Sequence, residues 1–386
     1  MKKLFLILTG IFIGFSSQAQ QVPWGEMKLK SPEFNATDST IAFRFDAPNA
    51  SKVEIHGDFI SGKPLPMKKD SEGIWTTNVG KLPSDLYGYT IFVDGLQVLD
   101  PSNVYVMRDN NTLNNVMIVP GQRGELFSTN VVPHGTVSTV WYHSDTLNMD
   151  RRLTVYTPAE YGKIEDKRYP VLYLLHGLGG DEEAWAEKGR VPQILDNMIA
   201  KGEVEPMLVV MTNGNSPQQA APGKNSDGLF VQPTSKLPFV SGAFEASFPE
   251  IVKFIDSSYN TVAEKRGRAI AGLSMGGMHT RAISMNNPEM FDYVGLFSAA
   301  INPMFRNPTA IYENVPEKLK AQFVNPPKMY WIGIGKTDFL MEANTKNRGL
   351  MDELGLPYTY HESEGGHTWT NWRDYLTIIL PSLFKK

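Results

Sequence analysis

The stretch Ala271-Gly272-Leu273-Ser274-Met275-Gly276-Gly277 sets a hydroxyl between two glycines. An apolar run, Ala269-Ile270-Ala271, leads into it, and a helix-compatible run, Met278 to Met285, leads out. At such a strand-to-helix corner the turn is so tight that a side chain on Gly272 or Gly276 would meet the neighbouring elements. The serine oxygen is then held exposed at the carboxyl end of a sheet. The backbone N–H of Met275 lies at the helix start, where partial positive charge stabilises an oxyanion. This geometry suits nucleophilic attack by Ser274. The five-residue pattern is weak by itself, because glycine-rich chains produce it by chance. It requires a base, an acid and a second oxyanion donor elsewhere.

Of the seven histidines, His367 is the expected base. It lies in Ser363-Glu364-Gly365-Gly366-His367-Thr368-Trp369, a glycine-rich loop after a strand expected over Tyr358 to His361. Asp338 directly follows another expected strand, Tyr330 to Gly335, and is the expected orienter of that imidazole. Its competing role is to cap a helix starting near Phe339. Asp292 precedes a strand, and Asp352 and Asp374 lie in helical patterns, so they fit less well. Leu174-Leu175-His176-Gly177-Leu178-Gly179-Gly180 reads as a buried strand opening into a glycine-rich loop. It offers Leu178 as the second oxyanion donor, with Gly177 beside it. The loop lacks Gly-Lys-Ser/Thr and does not match G-x-G-x-x-G, which argues against a phosphate cradle. The chain order Ser…Asp…His and four elements at four strand ends are a far stronger signal than the corner alone. Trp369, next to His367, is either a substrate contact or core packing. This chemistry calls for no cofactor and no metal.

The elements that must position these residues form a strand–helix alternation from about residue 136 to the end. Arg152 to Tyr156, Val171 to Leu175, Leu208 to Met211, Ala269 to Ala271, Val294 to Phe297 and Tyr330 to Ile334 are strand candidates. Several are unbroken apolar runs, as expected for strands covered on both faces. Ile194, Leu195, Met198 and Ile199 mark one helical face; Phe248, Ile251, Val252, Ile255 and Tyr259 mark another, with Pro249 expected at its first position. Alternation of this kind implies a parallel sheet wrapped on both sides. The aperiodic stretch 213–240 is expected to be a long functional loop.

Residues 22–120 have a different texture. Ile41, Phe43 and Phe45 alternate with polar neighbours, as do Val53 and Ile55. Tyr87 to Val93 and Leu96 to Leu99 flank Asp94-Gly95, which supplies the positive φ angles of a two-residue hairpin turn. Short strands at this spacing argue for a β-sandwich, ended by a linker over 121–135 that begins Pro120-Gly121-Gln122-Arg123-Gly124. Trp75, Tyr87 and Tyr89 suit either a sugar-stacking platform or the core of a small β domain, and the core is favoured. The fold class expected is therefore α/β, preceded by an all-β immunoglobulin-like sandwich.

With 386 residues the chain is long enough for two domains, or one large one. Its formal charge of −4 and lack of a basic cluster give no support for nucleic-acid binding. The absence of cysteine excludes disulfides, thiolate metal sites, a cysteine nucleophile and a lipid-modified cysteine. Residues 1–19 read as a cleaved secretory signal: Lys2-Lys3, an apolar stretch from Leu4 to Phe15, and the small-x-small site Ser17-Gln18-Ala19. The expected product is exported to the periplasm or the medium, with no membrane association after cleavage.

The carboxyl-terminal part, 136–386, resembles the esterase D group of α/β-hydrolases, which includes carbohydrate esterase family 1 with its feruloyl and acetylxylan esterases. Val171 to Gly180, Ala271 to Gly277, Phe291 to Ser298 and Gly366-His367-Thr368-Trp369 with Trp372-Arg373 carry the resemblance. It implies Ser274 as nucleophile, His367 as base, Asp338 as orienter, and Leu178 and Met275 as oxyanion donors. The amino-terminal part resembles family 48 carbohydrate-binding modules through Phe45 to Pro48, Val53 to Phe59, Gly73 to Trp75 and Tyr87 to Tyr89 ahead of Asp94-Gly95. Such modules often pack on a catalytic domain without binding glycan. The resemblance implies hydrolysis of feruloyl or acetyl esters of xylan-type hemicellulose. The rival within the fold is a siderophore esterase, whose polyanionic substrate calls for basic residues; 213–240 offers Lys224 and Lys236 against Asp227. Acyl transfer to a sugar ranks third. The rival of another class is a non-catalytic glycan-binding protein, against which the set Ser274, Asp338 and His367 argues.

Overall fold

The computed structural model describes residues 29–60, 62–109, 112–226, 242–301 and 309–385, to which the statements below refer. The secretory-signal segment and 227–240 of the expected functional loop lie outside them.

Residues 33–118 hold β1 (Glu33–Phe34), β2 (Ile41–Asp46), β3 (Val53–Gly57), β4 (Leu65–Pro66), β5 (Lys68–Lys69) and β6 (Ile74–Val79). There follow β7 (Leu86–Val93), β8 (Leu96–Val98), β9 (Val106–Asp109) and β10 (Thr112–Ile118). They form two antiparallel sheets, β1-β2-β6-β5 and β4-β3-β7-β10-β9, with β8 paired to β7. The β7–β8 turn has φ of 48° at Asp94 and 89° at Gly95, the mirror-image turn the dipeptide favours. Period-2 burial puts Ile41, Phe43, Val53 and Ile55 between the sheets, together with Trp75, Tyr87 and Tyr89. These three aromatics are core residues, and their buried faces are closed to a sugar.

The expected linker contains a helix, α1 (Gln122–Phe127), whose Phe127 is fully buried. Beyond it, β11 (Thr136–Ser144), β12 (Met149–Thr157), β13 (Val171–Leu175) and β14 (Leu208–Thr212) open a large sheet. It is completed by β15 (Arg268–Leu273), β16 (Tyr293–Phe297), β17 (Met329–Gly335) and β18 (Thr359–Ser363). The order is β11-β12-β14-β13-β15-β16-β17-β18, parallel from β14 onward and antiparallel at β11 and β12. Helices α2 (Ala184–Glu187), α3 (Val191–Ala200), α4 (Ala243–Ser258) and α5 (Met275–Asn286) intervene, then α6 (Val315–Gln322), α7 (Met341–Glu353) and α8 (Trp369–Ile379). This is an α/β-hydrolase fold preceded by a β-sandwich, as expected.

Alternate residues of β13 feed two cores. Leu172 and Leu174 join the α3 and α8 side; Val171, Tyr173 and Leu175 join the α4 side. The first core also takes in Leu86, Met107 and Val116 of the sandwich and Phe127 of α1. The sandwich is thus packed into the hydrolase interior rather than tethered to it. Pro249 corrects one expectation: it lies inside α4, which starts at Ala243 because buried Phe244 extends the apolar stripe toward the amino end. Among the described residues no helix is long and apolar enough to cross a membrane.

Candidate active site

Ser274 ends β15 and caps α5 with φ 53° and ψ −114°, a conformation that costs on the order of 1–3 kcal/mol for a non-glycine residue. Two hydrogen bonds hold it there. Its N–H donates to the Phe297 carbonyl at 2.9 Å, and its carbonyl accepts from the Ala300 N–H at 2.9 Å. The flanking glycines are required by close approach. A Cβ on Gly272 would sit 2.4 Å from the Gly276 carbonyl oxygen, and one on Gly276 would sit 2.4 Å from that of Leu175.

The loops after β17 and β18 are tied together, since Thr337 N–H donates to Gly365 O at 3.0 Å and Lys336 N–H to Ser363 O at 2.9 Å. That pairing brings Asp338 under His367. Imidazole Nδ1 lies 2.9 Å from Asp338 Oδ2 and 3.1 Å from Oδ1, and Nε2 lies 2.9 Å from Ser274 Oγ. Because the carboxylate is the acceptor, Nδ1 carries the proton, leaving the Nε2 lone pair for the serine hydroxyl. Burial works to raise the Asp338 carboxyl, but hydrogen bonds from His367 and the Leu340 N–H outweigh it and hold the group below its ordinary value. A buried Trp372 meets the imidazole edge to face at 4.9 Å, and Phe339 flanks it at 4.5 Å.

Met275 N–H is the first donor of α5, and Leu178 N–H opens from the turn after β13; neither has a protein acceptor among the described residues. Gly177 brings that turn against the corner, for a Cβ there would lie 3.3 Å from Ser274 Cβ. Sequence reasoning passed over the residue that fastens it. His176 Nδ1 donates to the Gly177 carbonyl at 2.7 Å, and Nε2 accepts from the Gly214 N–H at 2.8 Å. Burial pushes its pKa down to about 4, so the ring is neutral. Its signal was present in His176-Gly177, a polar ring at the end of a buried strand.

Above Ser274 and His367 opens a cavity of about 810 Å³. Gly177, Leu178 and Trp369 line it, so each expected site residue is at this place or, for buried Met275 and Asp338, directly behind it. Trp369 is both wall and packing, since its ring also meets Trp185 and Trp372 at 5.3 Å. One wall was not legible in the sequence: Asp58, Arg108, Asp109 and Thr112 come from the sandwich. Arg108 pairs with Asp181 at 2.5 Å, and Lys188 with Asp109 at 3.0 Å, across the join. The first part of the expected functional loop instead folds inward, with Asn213, Asn215 and Gln218 buried and hydrogen-bonded to one another.

The family model described as "Putative esterase" matches residues 144–383, and that of carbohydrate-binding module 48 (isoamylase N-terminal domain) matches residues 31–105. The endo-1,4-beta-xylanase/feruloyl esterase of Xylanibacter ruminicola is 32% identical over 358 residues, which are 89% of this chain and 44% of that protein. The chain thus spans less than half the length of that relative. A ferulic acid esterase of solved structure is 27% identical, with a TM-score of 0.53 over 65% of this chain and 98% of that one. The enterobactin esterase of Shigella flexneri has a TM-score of 0.64 over 89% of this chain and 92% of that one. At 16% identity this last likeness is one of fold alone.

Proposed function

The chain belongs to the esterase family, and from that premise we propose that it is an exported serine esterase of the carbohydrate esterase family 1 type, removing feruloyl or acetyl groups from xylan-type hemicellulose. The observation that carries the reading is the continuous line from Ser274 Oγ through the His367 ring to Asp338, with both hydrogen bonds, Oγ to Nε2 and Nδ1 to Oδ2, 2.9 Å long. In the proposed reaction Ser274 Oγ attacks the ester carbonyl carbon while His367 Nε2 takes its proton. The carbonyl oxygen, now negative, is met by the N–H groups of Leu178 and Met275. The imidazolium gives its proton to the departing alcohol oxygen as the ester C–O bond breaks. Water then attacks the acyl-enzyme, losing a proton to His367 and releasing the acid. Asp338, kept ionised, stabilises the imidazolium in both halves.

Substrate class draws support from two sources. Of the two named relatives of at least 27% identity, one is a xylanase/feruloyl esterase and the other a ferulic acid esterase. The cavity wall sets Asp58, Asp109, Glu183 and Glu187 against Arg108 and Lys188, both already paired with carboxylates. Such a wall suits a neutral glycosyl ester and repels a ferric catecholate polyanion. Export rests on the Lys2-Lys3, apolar and Ser17-Gln18-Ala19 pattern, and hemicellulose or its oligosaccharides are the proposed partner.

The test compares the purified protein on methyl ferulate, acetylated xylan and a catecholate trilactone. Release from either of the first two is expected, with loss of about 10⁶-fold in turnover for Ser274→Ala. Fast trilactone cleavage without feruloyl or acetyl release would replace the substrate class. A wild type that binds xylan and cleaves none of the three would make the protein a glycan binder.

A further inference from the structure

Phe339 is an anomaly of packing. It directly follows Asp338, yet its side chain is 75% exposed. Of the large exposed hydrophobics among the described residues, Phe339 and Leu178 are the two that line the cavity. Buried Trp372 already packs against the His367 ring, and Phe339, 4.5 Å from the same ring, is left facing water with little to contribute to folding.

The chemistry of the site divides the cavity between these two residues. The ester carbonyl oxygen must point to the N–H groups of Leu178 and Met275. The alcohol oxygen must come within hydrogen-bond reach of His367 Nε2, about 3 Å, to receive its proton. The alcohol half of the ester therefore leaves along the imidazole, and the exposed group beside the imidazole is Phe339. A methyl group at that oxygen is too small to cover the ring, whereas a pentose presents a C–H face of matching size.

We infer that Phe339 is a specificity-determining residue, its ring being the platform for the sugar that carries the ester's alcohol oxygen. The inference rests on the esterase reading above. A sugar seated there also covers the open side of His367 during acylation. Its departure uncovers that side for the water that completes hydrolysis.

The experiment measures kcat/KM on a feruloylated arabinoxylo-oligosaccharide and on methyl ferulate for wild type, Phe339→Ala and Phe339→Tyr. In Phe339→Ala the ratio of sugar ester to methyl ester is expected to fall about tenfold, carried by KM of the sugar ester, as loss of one aromatic face implies. Phe339→Tyr, which keeps the platform, is expected to restore the ratio. If Phe339 only held His367 in place, both esters would lose activity in proportion and the ratio would not move; that result overturns the inference while leaving the esterase reading intact. A wild type that cleaves neither ester overturns both.

Discussion

His176 lies beside the Gly177-Leu178 turn yet has no proton to trade at neutral pH. Its ring is enclosed, Nδ1 serves the Gly177 carbonyl, and Nε2 is occupied by the Gly214 N–H. Burial lowers its pKa from 6.5 to about 4. The unfolded chain therefore binds a proton below about pH 6.5 that the folded chain refuses. Stability is full above that pH and falls as the pH drops toward 4, by about 3 kcal/mol from this residue at 1.36 kcal/mol per unit. Urea titrations from pH 7 to pH 4 are expected to show the loss, and His176→Asn is expected to flatten that limb. The same variant loosens the turn carrying Leu178, so a turnover loss of about tenfold or more is expected with it. An unchanged acid limb in His176→Asn would remove this histidine as its cause.

Helix α5 and strand β15 meet only because two positions lack side chains. The first turn of α5 lies against the end of β13, where a Cβ on Gly276 would meet the carbonyl oxygens of Leu175 and His176 at 2.4 and 2.5 Å. Both obstacles are backbone, so neither can swing aside. Gly276→Ala is expected to destabilise the protein by about 3 kcal/mol, toward the upper end of ordinary single substitutions. It should also displace the Met275 N–H and with it turnover. Thermal melts and ester hydrolysis by the folded fraction measure the two effects separately. The motif at 174–180 and the motif at 272–276 are thus one contact surface, although a hundred residues separate them along the chain.

At the scale of the molecule, the sandwich and the hydrolase sheet share a buried ion cluster as well as a core. Arg373, on the α8 that follows His367, is 1% exposed and donates to Asp85 Oδ1 at 3.0 Å and to the Leu86 carbonyl at 2.8 Å. Arg123 of α1 donates to the other Asp85 oxygen at 3.0 Å and pairs with Asp374. Asp85→Ala would leave a buried guanidinium without its carboxylate, a change that costs about 3–5 kcal/mol. A fall of that size in unfolding free energy is expected, with both parts of the chain melting in one transition because Leu86, Met107, Val116 and Phe127 belong to the hydrolase core. Two separate transitions would show that the join is weaker than its contacts imply.

What the sequence determined by itself was everything written in contiguous residues. The corner at Gly272 to Gly276, the strand-loop at 174–180 and the loop at 363–369 each carry their own turn chemistry, and apolar runs such as Val171 to Leu175 announce buried strands. The edge strand β11 escaped, because its burial alternates but its hydropathy does not: Val137 and Trp141 are exposed while Ser144 is buried. Helix α1 escaped because Pro120 and Gly121 read as a break, and its Phe127 is buried among core residues distant along the chain. Only the tertiary structure decided that the sandwich walls the cavity, that Trp75, Tyr87 and Tyr89 face inward, and that Phe339 stands exposed beside His367. These are contacts between distant segments, and a chain read residue by residue holds no local term that favours them. The serine corner could be read from its glycines; the cavity above it exists only where the sandwich meets the ends of β13, β15, β16, β17 and β18.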